Sequence, residues 1–134
     1  MKVNFDKAMF GEEQEEGIRV VIRSNEGQVL AALSEKVPMP TSVETLEMLA
    51  ARRATIFAQE PGFRKVCFEG DAELAVKSLQ TGKDSNVRAR LLVKDFTSIR
   101  GYFQSYFIIH VRWQDNYVAH ALARDVRFSF PLRV

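Results

Sequence analysis

The hydrophobic pattern of the chain changes period near residue 41, and this change constrains the fold more than any other feature. Before that point, three segments are typical of strands, and in the second of them apolar residues alternate at Ile18, Val20 and Ile22. A turn signal, Ser24-Asn25-Glu26-Gly27, precedes the third segment. The pattern predicts three strands, at Lys2 to Phe10, Gly17 to Arg23 and Gln28 to Leu33. Together these strands suggest an antiparallel meander.

Helical spacing follows the meander, and helices then alternate with strands. Thr41 and Glu44 fit a capping box at the start of the first helix, and Pro61-Gly62 ends it. The later predicted elements are a strand at Phe63 to Glu69, a helix ending at Gly82, a helix at Val87 to Gly101, a strand at Gln104 to Arg112 and a last helix capped by Asn116. Because a strand–helix–strand order implies a parallel crossover, we expect an α/β fold: a five-stranded mixed sheet, antiparallel meander plus parallel strands, with helices on both faces.

Length and composition indicate one intracellular domain over residues 1–134. The 134 residues show no linker or repeat, and no segment approaches the roughly 18 apolar residues of a membrane span. The first residues lack the apolar run of a signal peptide, and the single cysteine, Cys67, cannot form an internal disulfide. Nucleus and cytoplasm both remain open, as does the oligomeric state. A zinc site is excluded because there is no Cys/His cluster.

Positive charge is concentrated in the C-terminal part of the chain. The net charge of +2 is too small to indicate nucleic acid, but residues 83–134 carry 9 basic and 4 acidic side chains. Arg88, Arg90, Lys94 and Arg100 lie around the third helix. Two interpretations stay open for this loose patch, a phosphate-binding surface and an ordinary solvated helix face.

Three carboxylates occupy positions where a charge is costly. Asp6 lies inside the first strand, Glu47 shares the inward stripe of its helix, and Asp71 directly follows the fourth strand. A buried carboxylate requires a partner or a metal ion. Each also has a structural alternative: a solvent-facing edge strand for Asp6, a favourable helix dipole for Glu47 and a helix N-cap for Asp71. Glu44 is explained by the capping box, so we exclude it from the site.

Six short segments, in order, resemble one known family. The segments are Lys2-Val3-Asn4-Phe5-Asp6, Gly17-Ile18-Arg19-Val20-Val21-Ile22-Arg23, Gly27-Gln28-Val29-Leu30, Glu47-Met48-Leu49-Ala50-Ala51, Phe68-Glu69-Gly70-Asp71 and Asn116-Tyr117-Val118-Ala119-His120-Ala121-Leu122-Ala123. Together they resemble the plant ribonuclease H-like domain, the reverse-transcriptase-associated type found in retroelement-derived proteins. The similarity runs from about Lys2 to Asp125.

The resemblance implies a metal-dependent endonuclease. In that family, four acidic positions hold two divalent ions and the RNA strand of an RNA–DNA hybrid is cut. Asp6, Glu47 and Asp71 match the first three positions, which suits Mg²⁺ or Mn²⁺ because these ions prefer oxygen ligands. The partner implied is an RNA–DNA hybrid or another nucleic acid, without a membrane. The alternative is a ribonuclease H-like module with weak or no catalysis that retains nucleic-acid or protein binding.

The chain departs from the family pattern at two positions. His120 stands at the fourth acidic position, where three roles are open: a metal ligand, a proton shuttle or a surface residue. Lys7 follows Asp6 where the family commonly has Gly, and its side chain could crowd the substrate or contact a phosphate. We expect substrate contacts at Lys7, Asn116, Arg88 and Arg90. His110, inside an apolar strand, is interpreted as structural.

Overall fold

A computed structural model describes residues 1–10, 15–37, 42–59, 64–83 and 87–117. Within these ranges the chain forms five strands and three long helices, in the predicted order. The elements are β1 (Lys2–Phe10), β2 (Glu15–Arg23), β3 (Val29–Lys36), α1 (Val43–Gln59), β4 (Lys65–Gly70), α2 (Glu73–Thr81), α3 (Val87–Arg100) and β5 (Ser105–His110).

The strands form one mixed sheet in the order β3-β2-β1-β4-β5. β1 and β3 both pair antiparallel to β2, which confirms the meander. β4 pairs parallel to β1 on one side and parallel to β5 on the other. The first strand is therefore central, and the carboxyl ends of β1, β4 and β5 point toward the same edge of the sheet.

Helical structure reaches both faces of the sheet. α1 packs against β1, β2 and α3, and the buried side chains of Val3 and Phe5 belong to the same core as this helix. Side chains alternate along a strand, so Asn4 lies on the opposite face. There the helical turn at residues 113–117 approaches, because Asn116 hydrogen-bonds to the Asn4 side chain. Within the described part of the chain, no helix is long and apolar enough to cross a membrane.

Helix ends differ from the sequence prediction at two places. At α1 the cap is Ser42, whose Oγ accepts a hydrogen bond of 3.1 Å from the N–H of Thr45. The capping box on Thr41 and Glu44 was therefore wrong by one residue; Thr41 and the Glu44 side chain lie outside what the structure describes. Both Thr41 and Ser42 carry a hydroxyl able to cap, so local sequence could not separate them.

The last helix begins before Asn116. Residues 113–117 are already helical, and the carbonyl oxygen of Arg112 accepts hydrogen bonds from the N–H groups of Asp115 (3.0 Å) and Asn116 (3.2 Å). Asn116 as the cap was wrong, because its side chain is drawn into the sheet instead. The rest of this predicted helix, like Pro61-Gly62, lies outside the described residues. Gly82, in contrast, ends α2 as predicted: its φ is 76° and its N–H donates to the carbonyl oxygen of Ser78.

Candidate metal centre

Asp6, Glu47 and Asp71 meet at the carboxyl edge of the central strands. One carboxylate oxygen from each lies within 4.8 Å of those of the other two. The three residues come from β1, α1 and the residue directly after β4, so 65 positions of sequence are folded into one cluster. The predicted convergence of these carboxylates is confirmed.

Asp6 does not face solvent from an edge strand, since β1 is the middle strand of the sheet. Its Oδ1 accepts a hydrogen bond of 2.8 Å from the backbone N–H of Lys7. Burial, followed by repulsion from Asp71, raises the pKa of Asp6 to about 6. The N–H and the ammonium charge of Lys7 oppose this rise in pKa without cancelling it.

Glu47 is the most buried of the three carboxylates, with 3% of its surface exposed. Its Oε1 has no hydrogen-bond partner among the described residues. Burial raises its pKa to about 8, with repulsion from Asp6 and Asp71 adding to the effect. A favourable helix dipole does not account for this arrangement, because a carboxylate that served only the helix end would lie in solvent.

Asp71 is not a helix cap. The N-cap position of α2 is Ala72, and no side chain caps that helix. The Oδ2 atom of Asp71 is buried and, like Glu47 Oε1, has no partner in the described part of the chain. Its position depends on Gly70: a Cβ on that residue would lie 2.5 Å from Cζ of Phe5. Only glycine therefore lets the end of β4 pack so closely against β1.

The cluster fits a hard divalent cation. Its donors are all carboxylate oxygens, and mutual repulsion resists ionisation of the group. Two carboxylate oxygens, one of Glu47 and one of Asp71, are buried without a hydrogen-bond partner among the described residues. A cation such as Mg²⁺ or Mn²⁺ would supply the missing partners and offset the repulsion. The residues that would hold it are Asp6, Glu47 and Asp71.

The other residues expected at the site are only partly brought together. Lys7 is half-buried beside Asp6, and its charge acts on both Asp6 and Glu47. Arg90 is exposed on α3, and Arg88 lies two residues earlier on the same helix, with a side chain outside the described part of the structure. Asn116 is fully buried, with its amide bonded inside the protein. His120 lies outside the described residues.

His110 lies closer to the cluster than its sequence context suggested. It ends β5, is exposed, and pairs in register with Gly70. Its Nε2 is 3.2 Å from the carbonyl oxygen of Asp71. The sequence could have indicated this, because a parallel crossover places the carboxyl ends of the fourth and fifth strands side by side. It could not show which residues of the two strands pair, and so could not place His110 beside Asp71.

A set of buried polar side chains behind the cluster was also missed. Asn4 and Asn116 are fully buried and Glu69 nearly so, and all three are linked by hydrogen bonds. The sequence offered one signal, because Asn4 and Glu69 are polar residues within otherwise apolar strands. Their pairing across β1 and β4 required the register of the sheet.

Comparisons with known proteins agree with this architecture. The family model described as reverse transcriptase-like matches residues 4–126. A search of the curated proteins found no match. RNase H1 from the halophilic archaeon Halobacterium salinarum is a similar solved structure, with a TM-score of 0.79, 24% identity and coverage of 90% of this chain and 92% of that chain.

Two further structures are similar over nearly their whole length. LC11-RNase H1 in complex with an RNA/DNA hybrid has a TM-score of 0.77 and 22% identity, covering 90% of this chain and 91% of that chain. The N-terminal RNase H domain of a Mycobacterium tuberculosis protein has a TM-score of 0.76 and 20% identity, covering 92% and 91%. At these identities the similarity shows the fold. With the family match over most of its length, the chain belongs to the reverse transcriptase-like family and has the ribonuclease H-like fold.

Proposed function

We propose that this chain is a metal-dependent endonuclease that cleaves the RNA strand of RNA–DNA hybrids with two divalent ions. The observation that carries the proposal is the Asp6–Glu47–Asp71 cluster, in which two buried carboxylate oxygens have no hydrogen-bond partner in the part of the chain that the structure describes. The similar LC11-RNase H1 was solved in complex with an RNA/DNA hybrid, which supports this class of substrate.

Asp6, Glu47 and Asp71 would hold the ions, with His120 as the fourth position. When bound, two divalent ions neutralise charge on the attacking and leaving oxygens of a phosphodiester. The protein contributes rigid carboxylates from three elements and a buried setting that keeps competing water away from Glu47. Because the pKa of Glu47 is raised to about 8, metal binding at neutral pH displaces a proton from the cluster.

His120 in place of a fourth carboxylate gives this site its own metal preference. An imidazole lowers the negative charge of the site by one, and two close dications depend on that charge to offset their repulsion. Nitrogen is accepted more readily by Mn²⁺ than by Mg²⁺. We therefore propose that Mn²⁺ supports cleavage better than Mg²⁺.

Substrate contacts are proposed for residues near the cluster and on α3. Lys7 follows Asp6 directly and is half-buried, so its ammonium can meet a phosphate next to the cleaved one. Arg90 is exposed on α3, and Arg88 is two residues earlier on the same helix. We assign these two arginines to the nucleic-acid backbone rather than to the chemistry.

The second candidate is a module that binds nucleic acid or protein without catalysis. The departures at His120 and Lys7 favour it, because both replace residues at positions that the family resemblance assigns to the site. In either case we propose a single domain over residues 1–134 that acts inside the cell, where RNA–DNA hybrids form. A plant, retroelement-derived origin is part of the same proposal, based on the sequence resemblance.

The experiment is cleavage of a labelled RNA–DNA hybrid by the purified chain in Mg²⁺, in Mn²⁺ and in chelator. We expect metal-dependent cleavage of the RNA strand and none of a DNA duplex. Asp71→Asn should abolish it. Asp95→Asn should not, because it removes an exposed carboxylate of α3 that pairs with Arg52 of α1. Binding of the hybrid in chelator without cleavage in either metal would favour the non-catalytic module.

A further inference from the structure

Behind the metal cluster lies a buried hydrogen-bond network, called here the Asn4 network, made of Asn4, Arg23, Glu69 and Asn116. The amide of Asn4 is fully used: its Nδ2 donates to Glu69 Oε1 and to Asn116 Oδ1, both at 2.9 Å, and its Oδ1 accepts from Arg23 Nε at 2.8 Å. Arg23 also donates from Nη2 to Glu69 Oε1 at 3.1 Å. The amide of Asn116 donates to the carbonyl oxygen of Phe5 at 3.1 Å.

The network is one step along the strands from the cluster. Asn4 and Glu69 are the last paired residues of the β1–β4 ladder. Asp6 and Asp71 come two residues later on each chain segment. Side chains two residues apart in a strand point to the same face, so Asn4 stands beside Asp6 in β1. Glu69 is the second residue before Asp71, which directly follows β4. Beyond the last rung, backbone bonds hold Asp6 to β2 and Gly70 to the β5 segment, but none is described between β1 and β4. The side chains of Asn4 and Glu69 therefore make the last link between β1 and β4 before the two carboxylates.

The network also ties the helical turn at residues 113–117 to the same rung. Asn116 reaches both the Asn4 side chain and the backbone of Phe5, the residue directly before Asp6. Four residues later in the sequence comes His120. Apolar residues would fill this space without specifying which groups meet, whereas satisfied polar groups select one arrangement.

We propose that Asn4, Glu69 and Asn116 are positioning residues: they fix Asp6 relative to Asp71 and hold the helical turn at residues 113–117 against β1. This inference rests on the proposed function, since it assigns the network to the metal site of that enzyme. Within this proposal, the positioning role of Glu69 belongs to its acceptor oxygen, which receives hydrogen bonds from both Asn4 and Arg23. Its ion pairs with Lys2 and Arg23 are assigned to stability.

The test measures Mn²⁺ affinity by titration without substrate, and kcat and KM on the hybrid. Asn116→Ala and Glu69→Ala should lower Mn²⁺ affinity and kcat by about 10–100-fold, the usual effect of losing a group that orients a metal ligand. KM for the hybrid should change by less than about threefold, since the network touches no substrate. Glu69→Gln keeps the acceptor oxygen and should retain Mn²⁺ affinity within about threefold of the parent.

Two further variants separate positioning from general stability. Thr55→Val removes a buried polar group outside the network, the hydroxyl of a fully buried residue two turns after Glu47 on α1. It should leave Mn²⁺ affinity unchanged. If Asn116→Ala does not fold, Asn116→Asp decides: it has the same size and keeps the acceptor for Asn4, but cannot donate to Phe5, so affinity should still fall. All measurements are made below the unfolding temperature of each variant.

The outcomes distinguish this inference from the proposed function. If the parent binds Mn²⁺ but cleaves no hybrid, the proposed function fails, and the affinities of the variants still decide the role of the network. Folded Asn116→Ala and Glu69→Ala with the Mn²⁺ affinity of the parent would overturn the inference, as would a loss in Glu69→Gln equal to that in Glu69→Ala. A parent that binds no Mn²⁺ refutes both.

Discussion

Glu47→Gln provides a direct test of the electrostatic strain in the metal-free cluster. The side chain is buried and its pKa is raised from 4.5 to about 8 by burial and by repulsion from Asp6 and Asp71. Because the carboxyl holds its proton longer in the folded state than in the unfolded state, folding takes up a proton between these pH values. The unfolding free energy of the parent is therefore highest below pH 4.5, where Glu47 is neutral in both the folded and the unfolded state. It falls as the pH rises from 4.5 to about 8.

The size of the effect follows from the change in pKa. A rise from 4.5 to about 8 corresponds to roughly 4–5 kcal/mol of free energy, at 1.36 kcal/mol per pKa unit. A glutamine at this site must also be desolvated, and its amide needs partners, so we expect a smaller gain of about 2–4 kcal/mol at pH 8.5. At pH 4.5 the two proteins should differ little.

The assay is urea unfolding of parent and variant in chelator, from pH 4.5 to 8.5. The difference in unfolding free energy between them should grow with pH. Glu35→Gln is the matched control, since it removes a carboxylate that pairs with Arg53 away from the cluster, and it should produce no such gain. A parent–variant difference that stays constant across the pH range would refute the reasoning. Added Mn²⁺ should reverse the order at pH 8.5, because only the parent carries the full set of anionic ligands.

Three further predictions concern the same edge of the sheet. Mn²⁺ binding to the parent at pH 7 should release a proton, measured by titration in buffers of different ionisation enthalpy; no difference between buffers would contradict the raised pKa of Glu47. His120→Asp should raise Mg²⁺-supported cleavage of the hybrid at least about tenfold relative to the parent, the effect of restoring one anionic ligand; equal rates would show that residue 120 does not serve the metal. Gly70→Ala should lower the unfolding free energy by about 1–3 kcal/mol, because its Cβ would meet Phe5, and Phe5→Leu should recover part of that loss in urea unfolding; additive effects would contradict the contact.

Local sequence was sufficient for the order of the elements. Apolar alternation in the first third and helical spacing after residue 41 are properties of neighbouring residues, and both are seen in the structure. The ends of the helices were harder to predict from the sequence, because they depend on which of several suitable side chains makes the capping hydrogen bond. Ser42 caps α1 in place of Thr41, and Asn116 bonds to β1 rather than capping a helix.

The choice of Asp6, Glu47 and Asp71 came from their awkward positions and from the family resemblance. Both arguments identify residues without giving distances. That the three oxygens lie within 4.8 Å, and that the pKa of Glu47 rises more than that of Asp6, depends on the packing of α1 over the sheet. Depth of burial is a property of the whole fold. The sequence could therefore identify these carboxylates as candidates, but it could not show which of them has the more strongly raised pKa.

The sequence by itself determined the α/β class, the mixed sheet and the three acidic positions, because periodicity, residue type and motif order are all local. Only the tertiary structure decided which groups support those positions. The Asn4 network joins residues up to 112 positions apart, and His110 meets Asp71 across 39. Such contacts depend on strand register, where a shift of one residue turns every side chain to the other face. Register is set by the packing of the whole sheet, which no short stretch of the chain encodes.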